Sequence, residues 1–213
     1  NRHDQHRSEF LEAFKRATFG QEEARVVNQL DRFVSRHHGI FLHAADRTLW
    51  GNPAAIWPRG CPWTSTSGSH EDDFADLFEI LEDQELSEKQ WVYWREFRDQ
   101  TLVHSPGNPL PRRVVFFLEK FLDPGNWSAI QAGESSFKVG HRLQHFRNEA
   151  CQIIQRLITR LISHEIAVHL NRTQGVWHVL NQYERSYSSL VRRRGQLTFS
   201  DLEIILSGRD LHA

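Results

Sequence analysis

Apolar residues recur every three or four positions in the N-terminal part of the chain, which is the spacing of one face of an α-helix. Ser8 precedes the first apolar cluster and Gly20 follows it, and this pattern predicts a short helix between them. A second apolar stripe predicts a helix over residues 21–37. Gly39 is expected to end that helix, because glycine is a poor helix former.

Two serines predict the starts of the next two helices. Ser69 is followed by Asp72 and Ser87 by Gln90, the spacing of a capping box, in which the serine oxygen accepts a hydrogen bond from the third helical N–H. The apolar stripes that follow predict helices ending near residues 83 and 102. Carboxylates at 71–73 suit a first helical turn, where the helix dipole favours negative charge, so we do not interpret them as a metal site.

Proline and glycine interrupt the pattern twice in the middle of the chain. The segment His104–Pro111 contains SPGNPLP and is the best candidate for a subdomain boundary. The apolar run at 114–122 fits either a strand or a buried helix, and its Leu-Glu-Lys-Phe-Leu end favours a helix. Residues 125–140 form the second predicted break.

The longest apolar repeat lies in the C-terminal half. A helix is predicted over His141–Leu170, with a near-heptad seam through Leu143, Phe146, Ala150, Ile153, Leu157 and Leu161. A turn at Asn171 would let a second helix over Thr173–Arg194 pack antiparallel to the first. The hydrophobic pattern as a whole therefore predicts an all-α, multi-helix domain with a long antiparallel helical hairpin at its C-terminal end.

Between Gly39 and His70 the periodicity is lost, and a loop rich in tryptophan, proline and glycine is predicted. Exposed tryptophans at 50, 57 and 63 could stack on the bases of a single-stranded nucleic acid. The simpler interpretation is that the three tryptophans anchor the loop to the helical core.

Basic residues crowd the end of the predicted second helix of the hairpin. Arg192, Arg193 and Arg194 occupy its last turn, where cations favour the negative end of the helix dipole, and Gly195 follows in the helix-closing position. Thr198 or Ser200 can cap a further helix that starts at once.

The segment from the tyrosine-bearing helix through Gly195, Phe199, Asp201 and Leu202 resembles the part of UvrD/Rep-like DNA helicases, including the AddA and RecB helicase-nucleases, that leads back into the first motor domain. That family has a glycine, a short gap and Asp-Phe-x-Asp-Leu. Thr198 stands here in place of the first Asp. The match covers about the last thirty residues, and the helical character of the rest agrees with the helical domain that the family inserts into its first motor domain.

The resemblance implies a domain organisation and a role. Residues 1–194 would be the helical insertion domain, with a possible subdomain break near 104–111, and residues 195–213 would begin the return segment. The parent protein would be an ATP-dependent helicase requiring ATP and Mg²⁺. This domain would contact DNA at a junction of single strand and duplex, beside the remaining motor domains of the same chain.

Charge narrows the choice of DNA-binding residues. The formal net charge of the 213 residues is −1, so nucleic-acid contact would need local basic patches. Of the 26 basic residues 22 are arginine, a good bidentate phosphate ligand, although a codon bias would give the same composition. The leading candidates are the arginines at 192–194, and the second choices are Lys138, Arg142 and Arg147. A solvated helix end would equally explain the arginine cluster.

Several other kinds of chemistry find no support in the sequence. No Gly-Lys pair is present, so the chain lacks a phosphate-binding loop and should not hydrolyse ATP by itself. His164 and His169 are five residues apart, whereas the zinc-binding helix motif needs four, so no zinc is expected. Cys61 and Cys151 suggest neither a disulfide framework nor a metal site.

The expected location is the cytoplasm, because the two cysteines do not suggest a disulfide framework. No membrane association is expected, because no apolar run approaches a membrane span and the start of the chain has no signal-peptide core. Methionine is absent even at position 1, which predicts an internal piece of a longer protein. The main alternative to a DNA-contacting domain is a helical protein–protein interaction module, and a helical metal enzyme is a weaker third.

Overall fold

The computed structural model describes residues 26–63, 68–197, 201, 202 and 206. This part of the chain is mostly helical and contains one small antiparallel sheet. Its elements in chain order are α1 (Val26–His43), α2 (Pro53–Ile56), α3 (His70–Glu82), α4 (Glu88–Val103), α5 (Arg112–Phe121), α6 (Pro124–Gln131), β1 (Glu134–Val139), β2 (Arg142–Arg147) and α7 (Glu149–Leu190). Short 3-10 helices cover Arg47–Leu49 and Arg192–Arg194.

The chain divides into two compact units. The central unit is Cys61–Val168, and the terminal unit combines Asn1–Gly60 with His169–Ala213. Helix α7 contributes its first part to the central unit and the remainder to the terminal unit. The predicted break at 104–111 is a non-helical connection from α4 to α5 within the central unit. The predicted division at residue 194 stays a prediction.

The core of the central unit is built from the apolar faces of α3, α4, α5 and the first part of α7, together with side chains of α6 and the β-hairpin. Its largest fully buried side chains are Trp94, Phe74, Phe97, Phe117, Phe121, Phe146, Leu77, Leu81, Ile130, Ile153, Ile154 and Ile158. Both predicted caps are confirmed: the Ser69 hydroxyl accepts the Asp72 N–H at 3.0 Å, and Ser87 and Gln90 form a reciprocal capping box. The predicted helix over the apolar run at 114–122 is confirmed as α5.

The prediction of an all-α fold is wrong for residues 134–147, which form a β-hairpin. Residues 141–147 were predicted as the start of a helix, but Arg142–Arg147 is strand β2, and the predicted break contains α6 and β1. The hairpin turn consists of Gly140, with φ +65°, and His141, which suits a turn needing positive φ at its first central residue.

A buried polar side chain concealed the strand from sequence analysis. Gln144 faces the core, where its carbonyl accepts the Trp94 indole N–H at 3.0 Å and its amide donates to Gln84 at 3.1 Å. Leu143 on the same strand points outward and is 53% exposed. A polar residue facing the core and an apolar residue facing solvent break the alternation expected of a strand. In addition, Leu143 and Phe146 are spaced as on one face of a helix.

The prediction of a long antiparallel helical hairpin is also wrong, because α7 runs without a turn through Asn171. Asparagine inside a helix costs only a few tenths of a kcal/mol, up to about 0.7 kcal/mol, relative to alanine. The residues beyond it continue an apolar face, and Val179 and Leu180 are fully buried in the terminal unit. Burying two large aliphatic side chains contributes about 1.5–3 kcal/mol each, which exceeds that cost.

In the terminal unit, α1 packs against the second part of α7. The prediction that Gly39 ends α1 is wrong, since the helix continues to His43. Phe41 lies beyond the glycine and is only 3% exposed, packed with Val34 and Leu180. Its burial offsets the cost of about 1 kcal/mol for a glycine inside a helix. The predicted helix between Ser8 and Gly20 lies outside the described residues, as does most of the helix predicted after Thr198.

The chain between α1 and α3 contains two short helical turns where a plain loop was predicted. The indole N–H groups of Trp50 and Trp177 donate to the carbonyls of Ala44 and Ala45, at 2.6 and 2.8 Å. Gly51 has φ +65°, and a Cβ there would lie 2.2 Å from the Leu170 carbonyl oxygen, so only glycine fits. These contacts fix residues 44–51 within the terminal unit.

No described helix has the combined length and hydropathy that a membrane span would require.

Candidate nucleic-acid interface

The two units differ sharply in charge. The described residues of the terminal unit include nine arginines against four carboxylates, a formal charge of +5. The described residues of the central unit include eleven basic against sixteen acidic side chains, a formal charge of −5. The formal net charge of the whole chain is near zero although one unit is basic and the other acidic. Such a difference in charge between two parts of a chain is typical of proteins that bind a polyanion through one of them.

A groove of about 1100 Å³ lies between α1 and the second part of α7. Its walls carry three arginines and two histidines. These are Arg32, Arg36, Arg172, His37 and His169. Asp31 is the one carboxylate among the described lining residues. Phe33 and Val176 supply apolar surface. The groove is thus a concave, basic surface with an apolar component.

Helical spacing brings these side chains together. Arg32 and Arg36 are four residues apart on α1, and His169 and Arg172 are three apart on α7, so each pair lies on one helix face. Arg32 and Arg36 are exposed, and neither makes an ion pair within the described part of the chain. Their guanidinium groups keep their full hydrogen-bonding capacity for an anion.

The tautomer of His37 is set by its backbone partner. Its Nδ1 lies 2.8 Å from the Phe33 carbonyl oxygen, which can only accept, so Nδ1 carries the hydrogen. The other ring nitrogen, Nε2, is left for a ligand. In the imidazolium form it would donate to a phosphate oxygen and add positive charge to the groove.

The predicted arginine cluster separates into one buried and two exposed residues. Arg192 is only 9% exposed, and its Nε donates to Asp201, itself 2% exposed, at 2.8 Å. The same guanidinium donates to Glu184. A guanidinium held by two carboxylates has little capacity left for a phosphate, so Arg192 is a poor candidate for DNA contact. Arg193 and Arg194 are exposed and stay candidates.

The buried cluster extends to two more side chains. His38 Nε2 lies 2.6 Å from Glu184, and the Tyr187 hydroxyl donates to Asp201 at 2.8 Å. Burial alone would raise the pKa of Glu184, but the hydrogen bonds from His38 and Arg192 outweigh burial and hold the pKa below its usual value. Burial alone would lower the pKa of Arg192, yet its carboxylate partners raise it. Glu184 and Arg192 are therefore both ionised at neutral pH.

The residues of the predicted return segment contribute to this cluster in part. Gly195 closes the last turn with φ +74°, as predicted, and Asp201 anchors Arg192. Leu202 is exposed, and Phe199 lies outside the described residues. Asp201, one residue of the predicted return segment, therefore supplies a carboxylate that holds Arg192 just beyond the end of α7.

The second-choice residues Lys138, Arg142 and Arg147 lie on the β-hairpin, although residues 141–147 were predicted as the start of a helix. Lys138 and Arg142 lie near the turn, whereas Arg147 pairs with Glu134 at the opposite end of the hairpin. All three side chains are exposed. Arg147 makes one exposed ion pair, 3.5 Å from Glu134. Exposed pairs of this kind contribute little to stability, so Arg147 can exchange partners at small cost.

Two of the three loop tryptophans have packing partners. Trp50 contacts Phe41 at a ring distance of 6.3 Å and belongs to the core of the terminal unit. Trp63 packs against Trp127 at 5.3 Å in the central unit. Trp57 is half-buried. The interpretation of Trp50 and Trp63 as anchors is favoured over base stacking.

Among the described residues, no three His, Cys, Asp or Glu side chains are grouped so that they could hold a metal ion. His164 lies next to His70, with ring centroids 5.5 Å apart. Burial, together with the positive neighbours His164 and Arg160, lowers the pKa of His70 to about 4. His70 is therefore neutral at physiological pH and is a structural residue at the start of α3.

We predict that His70→Gln makes the protein less sensitive to acid. The folded pKa of about 4 lies below the usual 6.5, so between these values the unfolded state binds the additional proton. The free energy of unfolding should therefore fall as the pH drops from about 6.5 to about 4. Because solvent screens a partly exposed side chain, we expect less than the full free energy that the pKa difference implies. His70 should account for about 1–2 kcal/mol of the fall in the free energy of unfolding.

Urea denaturation at pH 7.5 and pH 4.5 measures this difference. The variant His141→Gln, at the exposed hairpin turn, is the matched control and should behave like the unaltered protein. An undiminished loss of stability in His70→Gln would show that other groups cause the acid sensitivity.

Sequence analysis missed the groove residues Arg32, Arg36, His37 and Arg172, and it considered His169 only as a zinc ligand. The four-residue spacing of Arg32 and Arg36 was a visible signal, since it places two cations on one helix face. Arg172 and His169 on α7 could not be found in this way, because the turn predicted at Asn171 placed them on two different helices.

Comparisons of the chain with protein families, with curated proteins and with solved structures found no match.

Proposed function

We propose that the chain binds nucleic acid through the phosphate backbone, with the groove between α1 and α7 as its contact surface. The observation that carries the proposal is the convergence of Arg32, Arg36 and Arg172 on one concave surface with a single carboxylate. Arginine forks match the geometry of phosphate oxygens and form charge-assisted hydrogen bonds with them. Contacts of this kind position the nucleic acid without reading its sequence.

A single strand suits this surface better than a continuous duplex. A duplex presents its phosphates on a convex surface, whereas an extended strand can lie within a groove between two helices. Phe33 offers an aromatic ring within the same lining, and unstacked bases pack on such rings. The exposed Arg193 and Arg194 are further candidates for phosphate contact within the same unit.

The resemblance of the segment at 195–202 supports a more specific version of this proposal. The chain would be the DNA-contacting helical domain of a UvrD-like ATP-dependent DNA helicase or helicase-nuclease acting in the cytoplasm. ATP, Mg²⁺ and the motor domains would belong to the parent protein. The second candidate function is a protein-interaction module, and the observation that favours it is that β2, within the described residues, pairs with a strand on one side only.

The test is a double variant, Arg32→Ala/Arg36→Ala, titrated against a labelled oligothymidylate by fluorescence anisotropy at several salt concentrations. Three phosphate contacts on a single strand predict a slope of log K against log salt of about −2. Removing two of them should reduce the slope to about −0.7 and weaken binding on the order of tenfold at low salt.

The matched control is Arg59→Ala/Arg185→Ala, which removes the same charge from the same unit at residues outside the groove lining. It should retain most of the slope. Equal losses in both double variants would mean that the general charge of the unit, and not the groove, attracts the strand. A loss confined to Arg193→Ala/Arg194→Ala would move the contact to the end of α7.

A further inference from the structure

Strand β2 exposes one edge of the two-stranded sheet. The pair Val139 and Arg142 closes a two-residue hairpin turn and is therefore a hydrogen-bonded pair. Pairs alternate along an antiparallel ladder, so residues 142, 144 and 146 direct their backbone groups towards β1. Leu143, His145 and Arg147 consequently direct their N–H and C=O groups away from the sheet.

Little covers that edge. Within the described part of the chain the sheet has only the strands β1 and β2. Among the described residues, the one hydrogen bond to an outward backbone group of β2 comes from Gln84, whose amide donates to the His145 carbonyl oxygen at 3.4 Å. Within the described part of the chain, the outward N–H and C=O groups of Leu143 have no hydrogen-bond partner. An unpaired strand edge is a template for the addition of another strand.

A groove of about 500 Å³ runs beside the same edge. Ile80, Leu86 and Ala150 provide apolar lining, and Arg142 and Arg147 provide positive charge. Glu85 is the one carboxylate of the described lining, and Glu134 lies 3.5 Å from Arg147 at an exposed, exchangeable ion pair. The hairpin is thus a basic, partly apolar surface on a unit whose described residues carry a charge of −5.

We infer that the outer edge of β2 docks an extended peptide in which apolar and acidic residues alternate, as an added strand. Side chains of a strand point alternately to opposite faces. On one face the peptide's apolar side chains would meet Ile80 and Leu86. On the other face its carboxylates would lie near the exposed side chains of β2, which include Arg147. The backbone provides affinity and the side chains provide selectivity, as in other cases of strand addition.

This inference is independent of the nucleic-acid groove, which lies in the terminal unit. Cations on the hairpin would also suit a nucleic acid. However, a phosphate backbone would use neither the outward main-chain groups nor the apolar lining. The peptide uses both and also satisfies the charge.

The test uses the full chain and a fluorescein-labelled peptide of alternating valine and glutamate, followed by fluorescence anisotropy. Saturable binding is expected. A second peptide carries N-methyl groups on alternate backbone amides, on the side that would pair with β2. It should bind at least about tenfold more weakly, because its main-chain hydrogen bonds to Leu143 are lost while its charge is unchanged.

Charge reversal tests the side-chain contribution. Arg142→Glu/Arg147→Glu should weaken peptide binding on the order of tenfold or more and make it less sensitive to salt. The control, Arg112→Glu, changes an exposed residue of the same unit that does not line the groove, and should bind like the unaltered protein. Circular dichroism would show that each variant keeps its helical content.

Two results would overturn the inference. Equal affinity for the methylated and unmethylated peptides would show that main-chain pairing is absent. No saturable peptide binding, together with loss of oligothymidylate binding in Arg142→Glu/Arg147→Glu, would assign the hairpin to nucleic acid.

Discussion

Replacing Trp94 with alanine should lower the free energy of unfolding by about 3–5 kcal/mol, the usual cost of removing a large buried aromatic side chain. Trp94 is fully buried and contacts several phenylalanine rings, the nearest being Phe117 at a centroid distance of 4.4 Å. Its indole N–H also holds Gln144 of strand β2. The substitution therefore removes core volume and leaves a buried amide without its partner.

Trp94→Phe separates these two effects. The ring contacts are mostly kept, but the donor to the Gln144 carbonyl is lost, and an unsatisfied buried polar group costs about 1–3 kcal/mol. The half-buried Trp91 offers a control within the same helix, and Trp91→Phe should cost less than about 1 kcal/mol. Chemical denaturation measures all three variants.

If Trp94 orients the hairpin through Gln144, Trp94→Phe should also weaken binding of the alternating peptide at β2, whereas Trp91→Phe should not. A Trp94→Phe variant as stable as the unaltered protein would show that the Trp94–Gln144 hydrogen bond contributes nothing net.

Replacing Arg192 with alanine should cost about 3–5 kcal/mol, the range found when one partner of a buried ion pair is removed. The change removes the cation that Asp201 and Glu184 share, and Asp201 is only 2% exposed. The two carboxylates would repel each other, so the protein should recover part of the lost stability when the pH is lowered enough to protonate one of them.

Arg193→Ala is the matched control for this prediction. It removes the same side chain from the next, exposed position and should change stability by no more than about 0.5 kcal/mol. Denaturation of both variants at pH 7 distinguishes an anchoring arginine from a surface one. An Arg192→Ala variant of normal stability with weakened DNA binding would contradict the anchoring role and restore Arg192 as a phosphate ligand.

Sequence by itself determined the features that depend on neighbouring residues. The caps at Ser69 and Ser87 and the helix-closing Gly195 are local hydrogen-bonding and backbone preferences, and all three are present in the structure. The mostly helical character followed from apolar spacing within single segments.

Tertiary contacts decided everything that depends on residues distant in the chain. Gly39 and Asn171 read as stops, yet both lie inside helices, because packing of Phe41 and of Leu180 outweighs a local preference of about 1 kcal/mol or less. Gln144 faces inward because Trp94 and Gln84 hydrogen-bond its side-chain amide in the core.

The same reason separates the predicted binding residues from the observed surface. Arg192 is buried because Asp201 and Glu184 meet it in the folded chain, whereas Arg193, its neighbour in sequence, is exposed. Arg32 and Arg172 line one groove although they belong to different helices far apart in the sequence. Residue type and spacing identify the cations of this protein, but only the packing of α1 on α7 determines which of them can reach a common anion.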